Sequence, residues 1–136
     1  MRVVLDTNVF VSAVFFSGVP GKILGAWRDG RITLVTSPEI LEEYRRVGDY
    51  LRTRYDGVDL DPFLALAATE GFVVEDLKLT GQICEDPDDD KFLACALASG
   101  APIIVSGDKH LLRATGWHGI EVLTPRKFLE GHLGND

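Results

Sequence analysis

Cysteine is scarce in this chain, and so are methionine and histidine: two, one and three residues respectively. Cys84 and Cys95 lie in or beside apolar segments and show no paired metal-ligand spacing. They read as free buried thiols of a protein in a reducing cytoplasm. Long apolar runs are missing too. Val9 to Phe16 and Phe92 to Ala98 fall well short of the roughly 20 residues that span a bilayer, and the N-terminus reaches the charged Asp6 at once. Neither a signal peptide nor a membrane anchor is expected. Basic charge is in deficit, with Lys+Arg 14 against Asp+Glu 21 and a net charge of -7. That balance argues against a general electrostatic footprint for nucleic acid. Cations bound by the acids would offset part of it, and Arg45, Arg46, Arg52 and Arg54 form either a local basic patch or a solvated helix face.

The chain does have enough to build one core. Its 136 residues, 46% of them hydrophobic, suit a single compact domain spanning 1–136. Apolar runs at Arg2 to Leu5, Ile32 to Thr36, Phe72 to Val74, Ala101 to Val105 and Ile120 to Leu123 read as strands. Between them lie helical patterns: an apolar segment from Thr7-Asn8 to Phe16, a stretch from about Gly21 to Arg28, one begun by Ser37-Pro38, one from Asp61-Pro62 to about Glu70, and a last one begun by Thr124-Pro125. Ser17 to Gly21 is a breaker cluster, and Tyr50 to Tyr55 is helix or ordered loop. Strands alternating with helices predict a three-layer α/β/α domain, its central, mainly parallel sheet of about four to five strands covered on both faces.

Acids gather where such a sheet binds ligands, outside the carboxyl ends of its strands. Asp6 follows Val3-Val4-Leu5, and Asp108 follows Ile103-Ile104-Val105. On the helix after Ser37, the apolar positions Ile40, Tyr44, Val47 and Leu51 define an inward stripe that includes Glu43 and leaves Glu39, Glu42 and Arg46 on the other face. A core-facing acid is expensive unless paired or metal-bound, so Glu43 is the functional candidate. In Asp86-Pro87-Asp88-Asp89-Asp90, capping accounts for two or three of the acids. Periodicity favours Asp90 as the one aimed at the sheet edge, with Asp89 sharing part of that geometry.

Two like charges about 4 Å apart cost roughly 4 kcal/mol at an effective dielectric of 20, so four converging acids need a compensator. Lys91 and Lys109 follow the acids but are expected to point away. Hard oxygen ligands without His or Cys favour Mg2+ or Mn2+. His110, His118 and His132 read as surface residues, and Trp27 and Trp117 as core or subunit-contact residues.

The segments Val3-Val4-Leu5-Asp6-Thr7-Asn8, Ser37-Pro38-Glu39-Ile40-Leu41-Glu42-Glu43-Tyr44, Asp86-Pro87-Asp88-Asp89-Asp90-Lys91-Phe92-Leu93 and Ile104-Val105-Ser106-Gly107-Asp108 resemble, in this order, the successive motifs of the PIN-domain ribonucleases. The resemblance covers essentially the whole chain. It is closest to the small single-domain toxin components of toxin-antitoxin modules. It implies a metal-dependent endoribonuclease in which Asp6, Glu43, Asp90 and Asp108 hold one or two Mg2+ or Mn2+ ions, Asn8 and Ser106 support them by hydrogen bonds, and Asp89 assists through a water. It further implies an RNA substrate and an antitoxin protein as partners, and products bearing a 5′ phosphate and a 3′ hydroxyl. The many apolar residues of so small a toxin-like domain add a homodimer to the expected partners.

Two other classes fit an aspartate-rich sheet edge. A phosphoacceptor or phosphatase domain needs a second acid two residues after the first, or paired acids there, and that place is Asn8. A PIN-like module that binds RNA or protein without cutting is expected to have lost acids, whereas all four are present.

Overall fold

In the computed structural model of the chain, which describes residues 1–15 and 18–134, strands and helices alternate from the first residues. Phe16 and Ser17, where the sequence places the end of the first apolar segment and the start of the breaker cluster, lie outside the described residues. Strands β1 (Arg2–Leu5), β2 (Thr33–Thr36), β3 (Phe72–Val73), β4 (Ile103–Val105) and β5 (Glu121–Leu123) form one sheet in the order β3-β2-β1-β4-β5, every neighbour parallel. The helices are α1 (Thr7–Phe15), α2 (Val19–Arg28), α3 (Pro38–Arg54), α4 (Asp61–Glu70), α5 (Asp90–Ser99), α6 (Lys109–Arg113) and α7 (Pro125–Phe128), the last widening into a π-turn over Leu129–Leu133. No single described helix is long and apolar enough to cross a membrane.

Val3, Val4, Leu34, Val35, Ile104 and Val105 are wholly buried, which a parallel sheet requires because helices cover both its faces. Four of the five strands are shorter than the apolar runs that mark them. Ile32, Ala101 and Ile120 are in the core before their backbones join the ladder, so hydrophobicity there records burial rather than pairing. The order of the strands matters most for the site. The chain lays β2 and β3 on one side of β1, then returns to lay β4 and β5 on the other. The carboxyl ends of β1 and β4 therefore flank the switch point, the crevice where open parallel sheets bind ligands.

Local chemistry fixes each helix. Ser37 accepts from the Ile40 N–H at 3.3 Å with Pro38 in the first turn, Thr124 does the same for Lys127, and Gly100 ends α5 in the left-handed conformation at φ 74°. Tyr50 to Tyr55 resolves as helix: α3 runs unbroken to Arg54 and packs closely on α4 at Gly48. A Cβ at Gly48 would meet Leu60 Cδ1 at 2.7 Å and its Cβ at 3.1 Å, and Leu60 is itself fixed in the core. Gly48→Ala is therefore expected to destabilise the fold by about 1 kcal/mol net in urea melts, since crowding outweighs the gain in helix propensity.

Candidate metal centre

Asp6 leaves β1 as the N-cap of α1. Its Oδ1 accepts from the Val9 N–H at 2.8 Å, its Oδ2 accepts from the Ser106 hydroxyl, and its own N–H donates to the Val105 carbonyl at 3.0 Å. Ser106 is fully buried, and its Oγ also accepts the Asp108 N–H at 2.9 Å. One hydroxyl thus spaces the two aspartates. Asp108 caps α6 with a single oxygen, Oδ1, which accepts from His110 N–H at 2.8 Å and Leu111 N–H at 3.2 Å. Its Oδ2 is left without a protein partner among the described residues. Beneath Asp6, the buried Tyr44 donates to the Leu5 carbonyl at 2.5 Å and stacks on Phe10 at 4.2 Å, fixing the end of β1 against α1 and α3.

Glu43 reaches this cluster from α3. Its Oε2 accepts from the Thr7 hydroxyl, and its Oε1 meets Lys91 Nζ at 2.6 Å. The Lys91 side chain is only 6% exposed and that of Glu43 20%, so this is a largely desolvated ion pair. Lys91 does not point away as expected: α5 begins at Asp90, and its first turn faces the sheet edge, where burial of the aliphatic stem and pairing with Glu43 outweigh solvation of the ammonium. Glu42, by contrast, is exposed and bound to Arg45.

The aspartate run divides its labour. Asp86 caps the turn by accepting from Asp88 N–H at 3.0 Å. Both oxygens of Asp90 are engaged, Oδ1 by the Cys84 N–H at 2.7 Å and Oδ2 by the Ile83 N–H at 2.9 Å, so it ties down the preceding loop. Asp89 is the acid left over: its Oδ2 is buried with no hydrogen-bond partner. Burial pushes the Asp89 carboxyl up to about 6, with the charges of Asp108, Asp86 and Asp6 adding to the effect and His110 opposing it. Asp6 is likewise raised, by burial first and by Asp108 and Glu43 in smaller part, against the lowering effect of its Ser106 and Val9 bonds. Asp6, Asp89 and Asp108 therefore feel one another, and Glu43 adds to the field at Asp6. Asn8 is exposed, and its side chain makes no hydrogen bond among the described residues.

As the side chains stand, no three acids among the described residues close around a common point. Glu43 is turned to Lys91 and Thr7, and Asp90 to the loop backbone. What fits a hard divalent cation is the donor chemistry. An unpartnered buried oxygen on Asp89, a spare oxygen on Asp108 and the raised carboxyl of Asp6 are charges that burial alone leaves uncompensated. Concavity does not mark the place. A cavity of about 1090 Å³ is lined by Trp27, Arg28, Ile32, Phe63 and Leu66, away from the carboxyl ends of β1 and β4.

Sequence periodicity missed Lys91, Thr7 and Tyr44 as parts of the site. The tyrosine carried a signal, because a buried hydroxyl needs a partner. Without divalent ions, stability should fall as pH rises from about 4 to about 6, because the folded state holds the Asp89 proton to higher pH than the unfolded chain does. Asp89→Asn should flatten that fall and raise the metal-free melting temperature at pH 7. Asp90→Asn should instead destabilise the fold, by about 1–3 kcal/mol, since one of two part-buried N–H groups loses its acceptor. Melts of both variants across pH, in EDTA, provide the check.

An uncharacterised protein of Methanocaldococcus jannaschii is 34% identical over 142 residues, an alignment covering 96% of this chain and 90% of that one. The fold resembles that of VapBC2 from Rickettsia felis, solved bound to a DNA fragment from their promoter: TM-score 0.57 and 13% identity, over 91% of this chain and 98% of the other. Residues 2–110, which carry β1 through β4 and every acid of the switch-point cluster, match the PIN domain, and the chain belongs to that family.

Proposed function

We propose that the chain is an Mg2+- or Mn2+-dependent endoribonuclease and the toxin component of a toxin-antitoxin module. PIN domains are generally nucleases and generally use divalent metals. The single observation that carries the reading to this chain is the unpartnered, buried Asp89 oxygen beside Asp6 and Asp108 at the switch point.

Asp6, Asp89 and Asp108 would hold the ion, with Glu43 completing the set. Asp89 takes the ligand position that periodicity assigns to Asp90, and Asp90 serves by holding residues 83 and 84. A bound divalent cation supplies positive charge that offsets the phosphate's and makes a nearby water more acidic. Ser106 keeps Asp6 and Asp108 at fixed spacing, so little reorganisation is needed when substrate arrives. Lys91 orients Glu43 through their ion pair, and Tyr44 anchors the strand end from which Asp6 projects. The ionised forms of Asp6 and Asp89 are disfavoured without a counter-charge, which favours filling of the site.

Hydrolysis in line with the 3′ oxygen leaves a 5′ phosphate and a 3′ hydroxyl. The partners on this reading are single-stranded RNA, an antitoxin protein and a second copy of the chain. The test is cleavage of an end-labelled single-stranded RNA after EDTA treatment and Mn2+ add-back, with analysis of the ends. Cleavage restored by Mn2+ with 5′-phosphate products is expected. Cleavage that survives EDTA, or 2′,3′-cyclic phosphate ends, would sink the proposal.

A further inference from the structure

The arginines of α3 fall into two groups. Arg45 is bound by Glu42 and by Asp49 at 2.8 Å, and Arg52 by Asp59 at 2.8 Å and Asp61 at 2.9 Å. Arg46 and Arg54 are exposed and form no ion pair among the described residues, Arg46 lying only within electrostatic range of Glu42. At about 100° per residue, the paired arginines lie on one flank of the buried stripe Ile40, Tyr44 and Gly48, and the unpaired ones on the other, within about 80° of arc with Glu43 and Tyr50. Tyr50 is 55% exposed, and the Arg54 guanidinium sits 5.2 Å from its ring centroid. Along the axis, Tyr50 and Arg54 stand about 10 and 16 Å beyond Glu43, with side chains leaning back towards the N-terminal end of the helix, where the acids are. Glu39 shares this flank on the far side of Glu43, so the flank is acidic at the cleavage end and basic beyond it.

We propose that this flank, carrying Arg46, Tyr50 and Arg54, is the track that binds single-stranded RNA as it leaves the cleavage site. The inference rests on the nuclease reading above. Phosphates meet Arg46 and Arg54, neither of which is held in an ion pair among the described residues. A base stacks on the Tyr50 ring, which Arg54 steadies from one side, a combination that recurs where single strands are bound without sequence preference. In a chain of net charge -7, this is how a local positive strip takes a polyanion without a basic surface overall.

Steady-state cleavage of a labelled oligouridylate by the Mn2+-loaded protein tests it. Arg46→Ala, Tyr50→Ala and Arg54→Ala should each raise KM roughly tenfold and leave kcat unchanged. Each lost arginine should also make the dependence of log KM on log salt shallower by about 0.7. Arg45→Ala, on the opposite flank, should change neither. If wild type cleaves and the three variants match it, or if Arg45→Ala is equally impaired, the track is wrong while the nuclease reading stands. Variants that keep the RNA KM but lose a protein partner would assign the flank to that partner and overturn the proposal. No cleavage or RNA binding by wild type would defeat both.

Discussion

Asp108→Asn and Asp6→Asn should each reduce Mn2+-dependent RNA cleavage by on the order of a thousandfold or more, while the chain stays folded. The fold survives because both residues also cap helices, Asp6 for α1 and Asp108 for α6, and asparagine caps about as well as aspartate. What the substitution removes is charge, and a neutral amide is a poor ligand for a hard divalent ion. Glu43→Gln should impair cleavage far more than Glu42→Gln, because Glu42 is an exposed partner of Arg45. Asp89→Asn should resemble Asp108→Asn, whereas Asp90→Asn should act mainly through the displaced loop and cost less activity than stability. Single-turnover rates at saturating Mn2+, with circular dichroism as the fold control, separate these outcomes. Near-wild-type rates in both Asp6→Asn and Asp108→Asn would remove the switch-point site from the chemistry.

Lys91→Met should be the most destabilising exchange at the site, by about 3–5 kcal/mol without metal, because it leaves the Glu43 carboxylate largely buried without its counter-ion. Adding Glu43→Gln should recover much of that loss. Removing both charges also removes the penalty for the stranded one, so the two changes are strongly non-additive. Mn2+ should rescue Lys91→Met more than it stabilises wild type, since a bound ion supplies the missing positive charge and binding stabilises only the folded form. Urea melts of the two single variants and the double variant, with and without Mn2+, give the coupling. Additive losses would mean that Lys91 and Glu43 act independently.

The sheet was legible in the sequence because buried parallel strands are short apolar runs, and β1 matches its run from Arg2 to Leu5. Helix starts at Ser37-Pro38, Asp61-Pro62 and Thr124-Pro125 were legible for a local reason: the cap or the first-turn proline is written in adjacent residues. Asp6 and Asp108 followed from their places after β1 and β4. The choice within the aspartate run was harder, because it rested on the phase of Asp90 to Leu93, Ala94 and Leu97, which α5 shares. Phase says nothing of the backbone N–H groups of Ile83 and Cys84 that engage Asp90, nor of Asp89, which lies in the 3-10 turn before the helix. Lys91 was illegible for a different reason. Its partner is 48 positions away in sequence, and only the packing of α3 near α5 brings the charges together.

Anomalous diffraction at the manganese edge, on crystals of the protein grown with Mn2+, tests most directly whether the switch-point acids hold the metal. A peak at coordination distance from Asp6 and Asp108, with the Asp89 carboxylate turned to it and Asp90 still bound to the Ile83 and Cys84 N–H groups, is the predicted result. A peak on the exposed Asp86 and Asp88 carboxylates alone, with no density beside Asp6 and Asp108, would contradict it.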